Sequence, residues 1–186
     1  MPMTKVNEDE LLDRLSEVFR TYGYDGASLS LISKATGLQR ASLYHRFPGG
    51  KEEMARAVLK RAQEWLATHV LAPLSAAGKP ADRIQKMAKG IHEFYEGGRR
   101  SCLLDTLSLG AEDDIKKHIR RGVAAWVEAL ANVAREAGVP KVKAYQRAQD
   151  AIGRIQGSLV IARVLHDRGP FERTLAKLPD IILDKK

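Results

Sequence analysis

The clearest chemical signature in the sequence is a short run of basic side chains without acidic ones. Between Gly26 and Lys51 the chain has no Asp or Glu, and it carries Lys34, Arg40 and Arg46 as well as Lys51 itself. Acidic residues lie just before and after this run. The first 60 residues therefore have almost no net charge, with 9 basic and 8 acidic side chains, although the run itself is basic. Carboxylates on a surface that meets phosphate would repel it. The run therefore indicates a nucleic-acid contact.

The other reactive side chains form no recognisable catalytic or metal-binding motif. The five histidines show no H-E-x-x-H spacing and no ligand cluster. The single cysteine, Cys102, excludes an internal disulfide framework and a Cys-rich zinc module. We also find no P-loop and no dinucleotide fingerprint. We expect no metal, no cofactor and no enzymatic activity, with Cys102 paired to a distant histidine as the one catalytic alternative.

Composition and charge are those of an ordinary globular protein with a basic excess. The chain has 186 residues, of which 44% are hydrophobic and 29% charged, and its formal net charge is +8. This is enough apolar material for a core. No stretch approaches the roughly 18 apolar residues of a membrane span. The first 14 residues also lack the apolar region of a secretory signal. We therefore expect a cytoplasmic protein.

Helical periodicity identifies the elements that must position the basic run. The 3.6-residue period predicts a helix over residues 8–22, ended by Gly23, with the inner face Leu11, Leu12, Leu15, Val18, Phe19 and Tyr22. Ser28 is a favourable N-cap for a short second helix that ends at Gly37 and would bury Leu29, Ile32 and Ala35. A third helix is expected at about 39–47, ended by Pro48-Gly49-Gly50, with Leu43 and Phe47 facing inward.

Two short helices joined by a glycine turn and braced by a longer helix are typical of a helix-turn-helix, although a generic helical hairpin has the same outline. The acid-free basic run favours DNA binding. The rest of the chain also has a helical period, with helices expected over 51–76, 81–96, 102–109, 111–137, 142–167 and 171–178. The predicted fold is therefore all-α with about nine helices, and residues 184–186 are expected to fray.

The helix predicted over 142–167 is apolar on two faces. One stripe consists of Ile152, Ile155, Leu159 and Ala162, and the other of Gly153, Gly157, Val160 and Val164. A helix that is apolar on two faces is buried on two sides. Both faces could pack within one chain, but the glycine-containing stripe would also let two helix backbones approach closely. We favour a homodimer through this stripe, because twofold DNA sites require one.

The segment FRTYGYDGASLSLISKATGLQRASLYHRFPGGKEEM, from Phe19 to Met54, resembles the DNA-binding domain of the TetR family of bacterial transcriptional regulators. The family pattern has a helix ending in F-x-x-x-G-Y, a Ser before the second helix, an I-x-x-x-x-G-hydrophobic turn, then S-L-Y-H-x-F and K-E. The matching residues are Phe19, Gly23, Tyr24, Ser28, Ile32, Gly37, Leu38, Ser42, Leu43, Tyr44, His45, Phe47, Lys51 and Glu52. The resemblance directly covers about a third of the chain.

Three positions depart from the family pattern. Leu31 lies where an acid usually completes the capping box of the second helix. Gln39 replaces the usual Ser or Thr cap of the third helix, and Ala41 replaces the usual Gly. The F-P-G-G-K-E linker is one residue longer than the commonest form. In this respect the chain is similar to a subgroup that includes drug- and flavonoid-responsive repressors.

The resemblance implies a DNA-binding domain over residues 1–51, with the recognition helix at about 39–47. Gln39 and Arg40 are expected to read base edges, since Gln pairs with adenine and Arg with guanine in the major groove. Ala41 belongs to the same contact surface. Phosphate contacts, which fix register without reading sequence, are expected from Ser42, Tyr44 and His45 on the recognition helix and from Ser28 and Lys51 at helix N-termini.

The resemblance also implies a ligand-binding and dimerisation domain over residues 52–186. Aromatic and polar residues on otherwise apolar faces are the mixture that pockets use. The candidates are Trp65, His69, Phe94, Tyr95, Cys102, Trp126 and Gln156. The implied function is a homodimeric repressor on a palindromic operator, released by a small hydrophobic or aromatic inducer. The alternatives are an activator, a non-specific DNA binder or a small helical enzyme that uses Cys102.

Overall fold

The computed structural model describes residues 6–183, and every regular element among them is a helix. The α-helices are α1 (Glu8–Gly26), α2 (Leu29–Thr36), α3 (Arg40–Arg46), α4 (Gly50–Leu66), α5 (Ala72–Ser75), α6 (Pro80–Phe94), α7 (Leu103–Ser108), α8 (Asp113–Glu136), α9 (Lys141–Leu165), α10 (Gly169–Ala176) and α11 (Leu178–Leu183). A π-helical turn at Ala67–Leu71 joins α4 to α5 without a break, and a 3-10 turn follows α6 at Glu96–Gly98. The all-α prediction is confirmed.

The chain divides into two compact units. The first contains the residues up to Ala62 together with Leu103–Ile119, and the second contains Gln63–Cys102 and the residues from Arg120 onward. In the first unit α1 packs against both α2 and α7. This packing brings residues 103–119 into the unit of the N-terminal helices, whereas the sequence predicts a functional boundary after residue 51. That functional boundary stays a prediction.

The core of the first unit is built on the inner face of α1. Leu11, Leu15 and Phe19 are fully buried there, as the helical period predicts. The prediction that Tyr22 faces inward is wrong, because Tyr22 is half exposed and Tyr24 is buried instead. Tyr24 can be buried because Gly23, with a φ of +68°, interrupts the helical geometry within α1, so the residues after it leave the period of the preceding turns.

The inner face of α2 is narrower than its period suggests. Ile32 and Thr36 are fully buried, whereas Leu29 is half-buried and Ala35 is exposed. Phe47, expected in the core, is half-buried as well. Thr36 is thus buried where Ala35 was expected to be. Its hydroxyl can leave water because it donates to the Ile32 carbonyl at 2.8 Å.

In the second unit α6 packs against the π-helical turn, α10 and α11, and α9 packs against α10 and α11. The close approach at the π-helical turn depends on Gly90, because a Cβ there would lie 2.3 Å from the His69 carbonyl oxygen. Because α4, the π-helical turn and α5 form one continuous helix, the described range has ten continuous helices, whereas the sequence predicts nine. The additional helix is α11, which follows the helix predicted over 171–178. Residues 184–186, expected to fray, lie outside the described residues.

Candidate nucleic-acid interface

The start of α2 is fixed by Ser28, as the sequence predicts. Ser28 has an extended backbone, and its Oγ accepts from the Leu31 amide at 3.2 Å. Leu31 cannot return a side-chain hydrogen bond, so only half of a capping box is present. The Ser28 hydroxyl keeps its own proton and can donate it to a phosphate oxygen.

The turn between α2 and α3 is held by a network of side-chain hydrogen bonds. Gly37 adopts the left-handed conformation, with φ +71°, which a residue without Cβ adopts at little cost. Thr36 Oγ1 accepts from the Leu38 amide at 3.3 Å, and Ser33 Oγ donates to the Leu38 carbonyl at 2.6 Å. Arg14 of α1 donates to the Thr36 carbonyl at 3.0 Å. These bonds fix the direction in which α3 leaves the turn.

Helix α3 buries one side and leaves the rest of its surface open. Leu43 is fully buried and anchors the helix. The exposed positions are Gln39, Arg40, Ala41, Tyr44, His45 and Arg46, with Ser42 half-buried. No carboxylate belongs to this helix. The open face thus offers neutral and cationic hydrogen-bonding groups around the small side chain of Ala41, which allows close approach of a duplex.

The two residues expected to read bases differ in how they are held. Gln39 occupies the N-cap position of α3 but makes no side-chain cap hydrogen bond, so its amide is available to a base edge. Arg40 Nη2 donates to Ser30 Oγ at 2.6 Å. This bond ties the guanidinium to α2, and Ser30 thereby limits the directions in which Arg40 points.

Lys51 is engaged within the protein rather than extended into solvent. Its Nζ donates to the Tyr24 carbonyl at 2.9 Å and lies 4.4 Å from the centroid of the Tyr24 ring. Burial raises the pKa of the Tyr24 phenol, and the carboxylates of Glu52, Glu112 and Asp25 raise it further, so the phenol stays neutral. An ammonium has three donors, which leaves Lys51 able to bind a phosphate oxygen from this fixed position.

Several residues that shape this surface are not apparent from the sequence pattern. Arg14, Ser30 and Thr36 position the turn and the recognition helix through the bonds above, and Arg46 Nη2 donates to the Val6 carbonyl at 3.1 Å. Their partners are 10 to 40 residues away along the chain, and no local spacing encodes such pairs. Among these residues, only Thr36 could have been recognised from the local sequence as part of the turn, because it directly precedes Gly37.

Comparison with known proteins agrees with this geometry. Residues 11–58 match the family model described as "Bacterial regulatory proteins, tetR family". Residues 80–177 match the model "Transcriptional regulator LmrA/YxaF-like, C-terminal domain". The chain belongs to the TetR family. Its relatives are named transcriptional regulators, and the N-terminal part is a DNA-binding helix-turn-helix domain.

Relatives of this TetR-family protein span its whole length. The HTH-type transcriptional regulator LmrA of Bacillus subtilis is 23% identical over 182 residues, covering 95% of this chain and 96% of LmrA. A TetR transcriptional regulator from Legionella pneumophila has the same fold, with a TM-score of 0.80 and 22% identity, and the match covers 96% of this chain and 97% of that one. The TetR-family regulator CifR, solved as a cysteine mutant with operator DNA, has a TM-score of 0.75 and 19% identity, and the match covers 98% of this chain and 99% of CifR.

The second unit of this TetR-family protein brings five of the seven predicted ligand-binding residues together. The rings of Trp65 and His69 stack at 4.2 Å between centroids, and Trp65 lies 5.0 Å from Phe94. Phe94 meets Tyr95 edge-on at 5.0 Å, and the buried Tyr95 hydroxyl donates to Cys102 Sγ at 3.3 Å. We call these five residues the aromatic chain. It runs from an exposed imidazole to a buried thiol.

The other two predicted ligand-binding residues make different contacts. Trp126 is buried, and its Nε1 donates to Met87 Sδ at 3.4 Å. Gln156 is half-buried on α9. Among residues 6–183, no three His, Cys, Asp or Glu side chains come together in a way that could hold a metal ion. In the same range, no helix has the length and apolar character needed to cross a membrane.

The second stripe of α9 faces solvent in the single chain. Gly153 and Gly157 are exposed, and so are Val160 and Val164, at 44% and 65%. A Cβ added at either glycine would meet nothing within 4 Å. Val142 lies on the same side of the helix and is exposed too. We call these five residues the α9 outer face. The opposite stripe, with Ile152, Ile155, Leu159 and Ala162, is buried as predicted.

Proposed function

We propose that this TetR-family regulator is a homodimeric repressor that binds a palindromic operator and is released by a small hydrophobic or aromatic inducer. Bacterial DNA lies in the cytoplasm, and we expect the protein to act there. The observation that carries the DNA-binding part is the open face of α3. It combines a buried anchor at Leu43 with exposed polar and cationic groups, in a segment without carboxylates.

The proposed DNA contacts follow from the donors that the fold leaves available. Gln39 and Arg40 read base edges in the major groove, and Ala41 leaves room for them. Ser42, Tyr44 and His45 bind phosphate oxygens and set the register. Two further phosphate contacts come from the free proton of the Ser28 hydroxyl and the remaining donors of Lys51. We do not expect catalysis in this scheme.

The proposed dimer uses the α9 outer face. Exposed apolar side chains in a row mark an interaction surface, because their hydration costs free energy that association recovers. The two glycines keep the centre of this face flat, which lets a second α9 approach closely. A twofold dimer also places two recognition helices in successive major grooves.

The proposed inducer contacts the aromatic chain. Stacked rings bind flat apolar molecules, and His69 and Cys102 add polar groups at the two ends. Trp126 and Gln156 complete the proposed pocket. The inducer would favour a conformation in which the dimer no longer fits the operator, so release reflects different affinities for two states.

The test of DNA binding is fluorescence anisotropy with duplex DNA from upstream of the protein's own gene, at two salt concentrations, beside a scrambled duplex. We expect salt-sensitive, preferential binding of two subunits per site. Equal affinity for both duplexes would contradict specific regulation and favour a non-specific binder. No binding to either duplex at low salt would contradict the proposal, and turnover assays of a Cys102→Ala variant would then examine the enzymatic alternative.

A further inference from the structure

The second unit contains a polar cavity that the proposed function does not use. It is an open depression of about 610 Å³, since most of its polar side chains are exposed to solvent. The polar lining comes from Ser75 at the end of α5, Arg83 on α6, and Asn132, Arg135 and Glu136 on α8. No residue of the aromatic chain lines this cavity.

Arg83 is a buried, fixed donor in the wall of the cavity. Only 7% of the residue is exposed. Its Nε donates to the Leu74 carbonyl at 2.8 Å, its Nη2 donates to the same oxygen, and its Nη1 donates to Glu136 Oε2. A guanidinium has five N–H groups. One N–H therefore remains on each terminal nitrogen for a further acceptor.

Arg135 and Asn132 supply the exposed part of the cavity wall. Arg135 Nη1 donates to Asn132 Oδ1 at 3.1 Å. This bond uses the amide oxygen of Asn132, so its NH₂ group is left to donate. The remaining donors of Arg135 form a planar fork, which matches the two oxygens of a carboxylate.

The charge of the lining selects the ligand class. Two guanidinium groups and one carboxylate leave one net positive charge, which a monoanion neutralises. A dianion would exceed this charge and leave the site with a net negative charge. The half-buried Ala129 supplies apolar surface for the body of the ligand. We propose that this cavity binds a small organic monocarboxylate, with the carboxylate on Arg135, Arg83 and Asn132.

The test is isothermal titration calorimetry of the full chain, without DNA, using 2-naphthoate and its neutral analogue 2-naphthamide. We expect 2-naphthoate to bind and 2-naphthamide to bind at least about tenfold more weakly, because the charge-assisted hydrogen bonds are lost. Arg135→Gln should weaken 2-naphthoate by about tenfold or more. Arg121→Gln is the matched control, since Arg121 is exposed on the same helix outside the cavity.

A second pair of variants tests the sign of the charge effect. Glu136→Gln keeps an acceptor for Arg83 but removes the negative charge, so 2-naphthoate should bind about fivefold more tightly. Glu128→Gln, on the exposed side of α8, should leave its affinity unchanged. The proposal is overturned if folded wild-type protein does not bind 2-naphthoate, or if Arg135→Gln and Arg121→Gln behave alike. Because no DNA is present, failure of operator binding does not affect this result.

Discussion

The outer surface of α3 and the α9 outer face both lie open to solvent, yet they are opposite in chemistry. Beyond its buried anchor, Leu43, α3 shows mainly polar and cationic groups, and water satisfies these until a duplex replaces it. The α9 outer face shows three valines and two glycines, whose apolar surface water hydrates unfavourably. A polar surface is well solvated when its partner is absent, so it suits a transient interaction. An exposed apolar surface favours a permanent interaction that removes it from water. This difference is the basis on which we propose reversible DNA binding for α3 and stable pairing for α9.

The sharpest way to break this comparison is a charge in the α9 outer face. Val164→Asp should leave the folded chain intact, because Val164 is 65% exposed, but should produce monomers that bind operator about a hundredfold more weakly, since two linked reading helices gain avidity. Light scattering and anisotropy measure these effects. Leu109→Asp is the control, because Leu109 is 82% exposed and lies outside α9. A Val164→Asp variant that stays dimeric would rule out this interface.

On α3, Arg40→Ala removes a proposed base contact. Affinity for the upstream duplex should fall by about 1–3 kcal/mol, while affinity for the scrambled duplex changes little. Arg121→Ala removes the same charge elsewhere and should preserve the ratio of the two affinities. If Arg40→Ala weakens both duplexes equally, Arg40 binds phosphate and does not read sequence.

Thr36→Val tests how much the hydrogen bonds of the turn before α3 stabilise the fold. The substitution keeps the shape but leaves the buried Leu38 amide without its acceptor, so the free energy of unfolding should fall by about 1–2 kcal/mol. Urea denaturation measures this change. Thr68→Val is the matched control, because the Thr68 hydroxyl donates to the Glu64 carbonyl at an exposed site. Equal effects of the two variants would show that the turn network contributes nothing special.

The smallest expected effect concerns close approach at Gly157. Gly157→Ala should stabilise α9 by about 0.5–1 kcal/mol, because an exposed helical glycine is replaced where a Cβ meets no atom. The dimer, measured by sedimentation equilibrium, should nevertheless weaken severalfold. Gly122→Ala on α8 provides the same gain in helix propensity, with an added Cβ 3.8 Å from Gln63, and should leave the dimer unchanged. An unchanged dimer in Gly157→Ala would mean that the helices do not touch there.

Local signals account for what could be predicted from the sequence. Ser28 and Gly37 act through capping and backbone geometry, and they begin and end α2 where expected. Gly23 interrupts the helical geometry as a glycine can, but α1 runs on to Gly26 instead of ending there. The buried stripe of α9 follows from the helical period alone. No helix is predicted after residue 178, but α11 begins there with Pro179 in its first turn, where a proline loses no hydrogen bond.

Contacts between distant parts of the chain account for what could not be predicted. The π-helical turn at Ala67–Leu71 matches a close approach of α6 at Gly90, and nothing near residue 67 indicates it. The bond from Arg40 to Ser30 and the position of Lys51 on Tyr24 likewise depend on how helices pack. Residue types thus predicted a DNA-binding surface on α3, and packing decided how each of its side chains is held.

The most direct test of the central claim is hydroxyl-radical footprinting of the upstream duplex with the wild-type protein. A dimer that reads DNA with α3 should protect two symmetric patches whose centres lie about one helical turn, roughly 10 base pairs, or a small multiple of it, apart. Gln39→Ala combined with Arg40→Ala should remove both patches together. A single patch, or protection that persists in the double variant, would contradict reading by paired α3 helices.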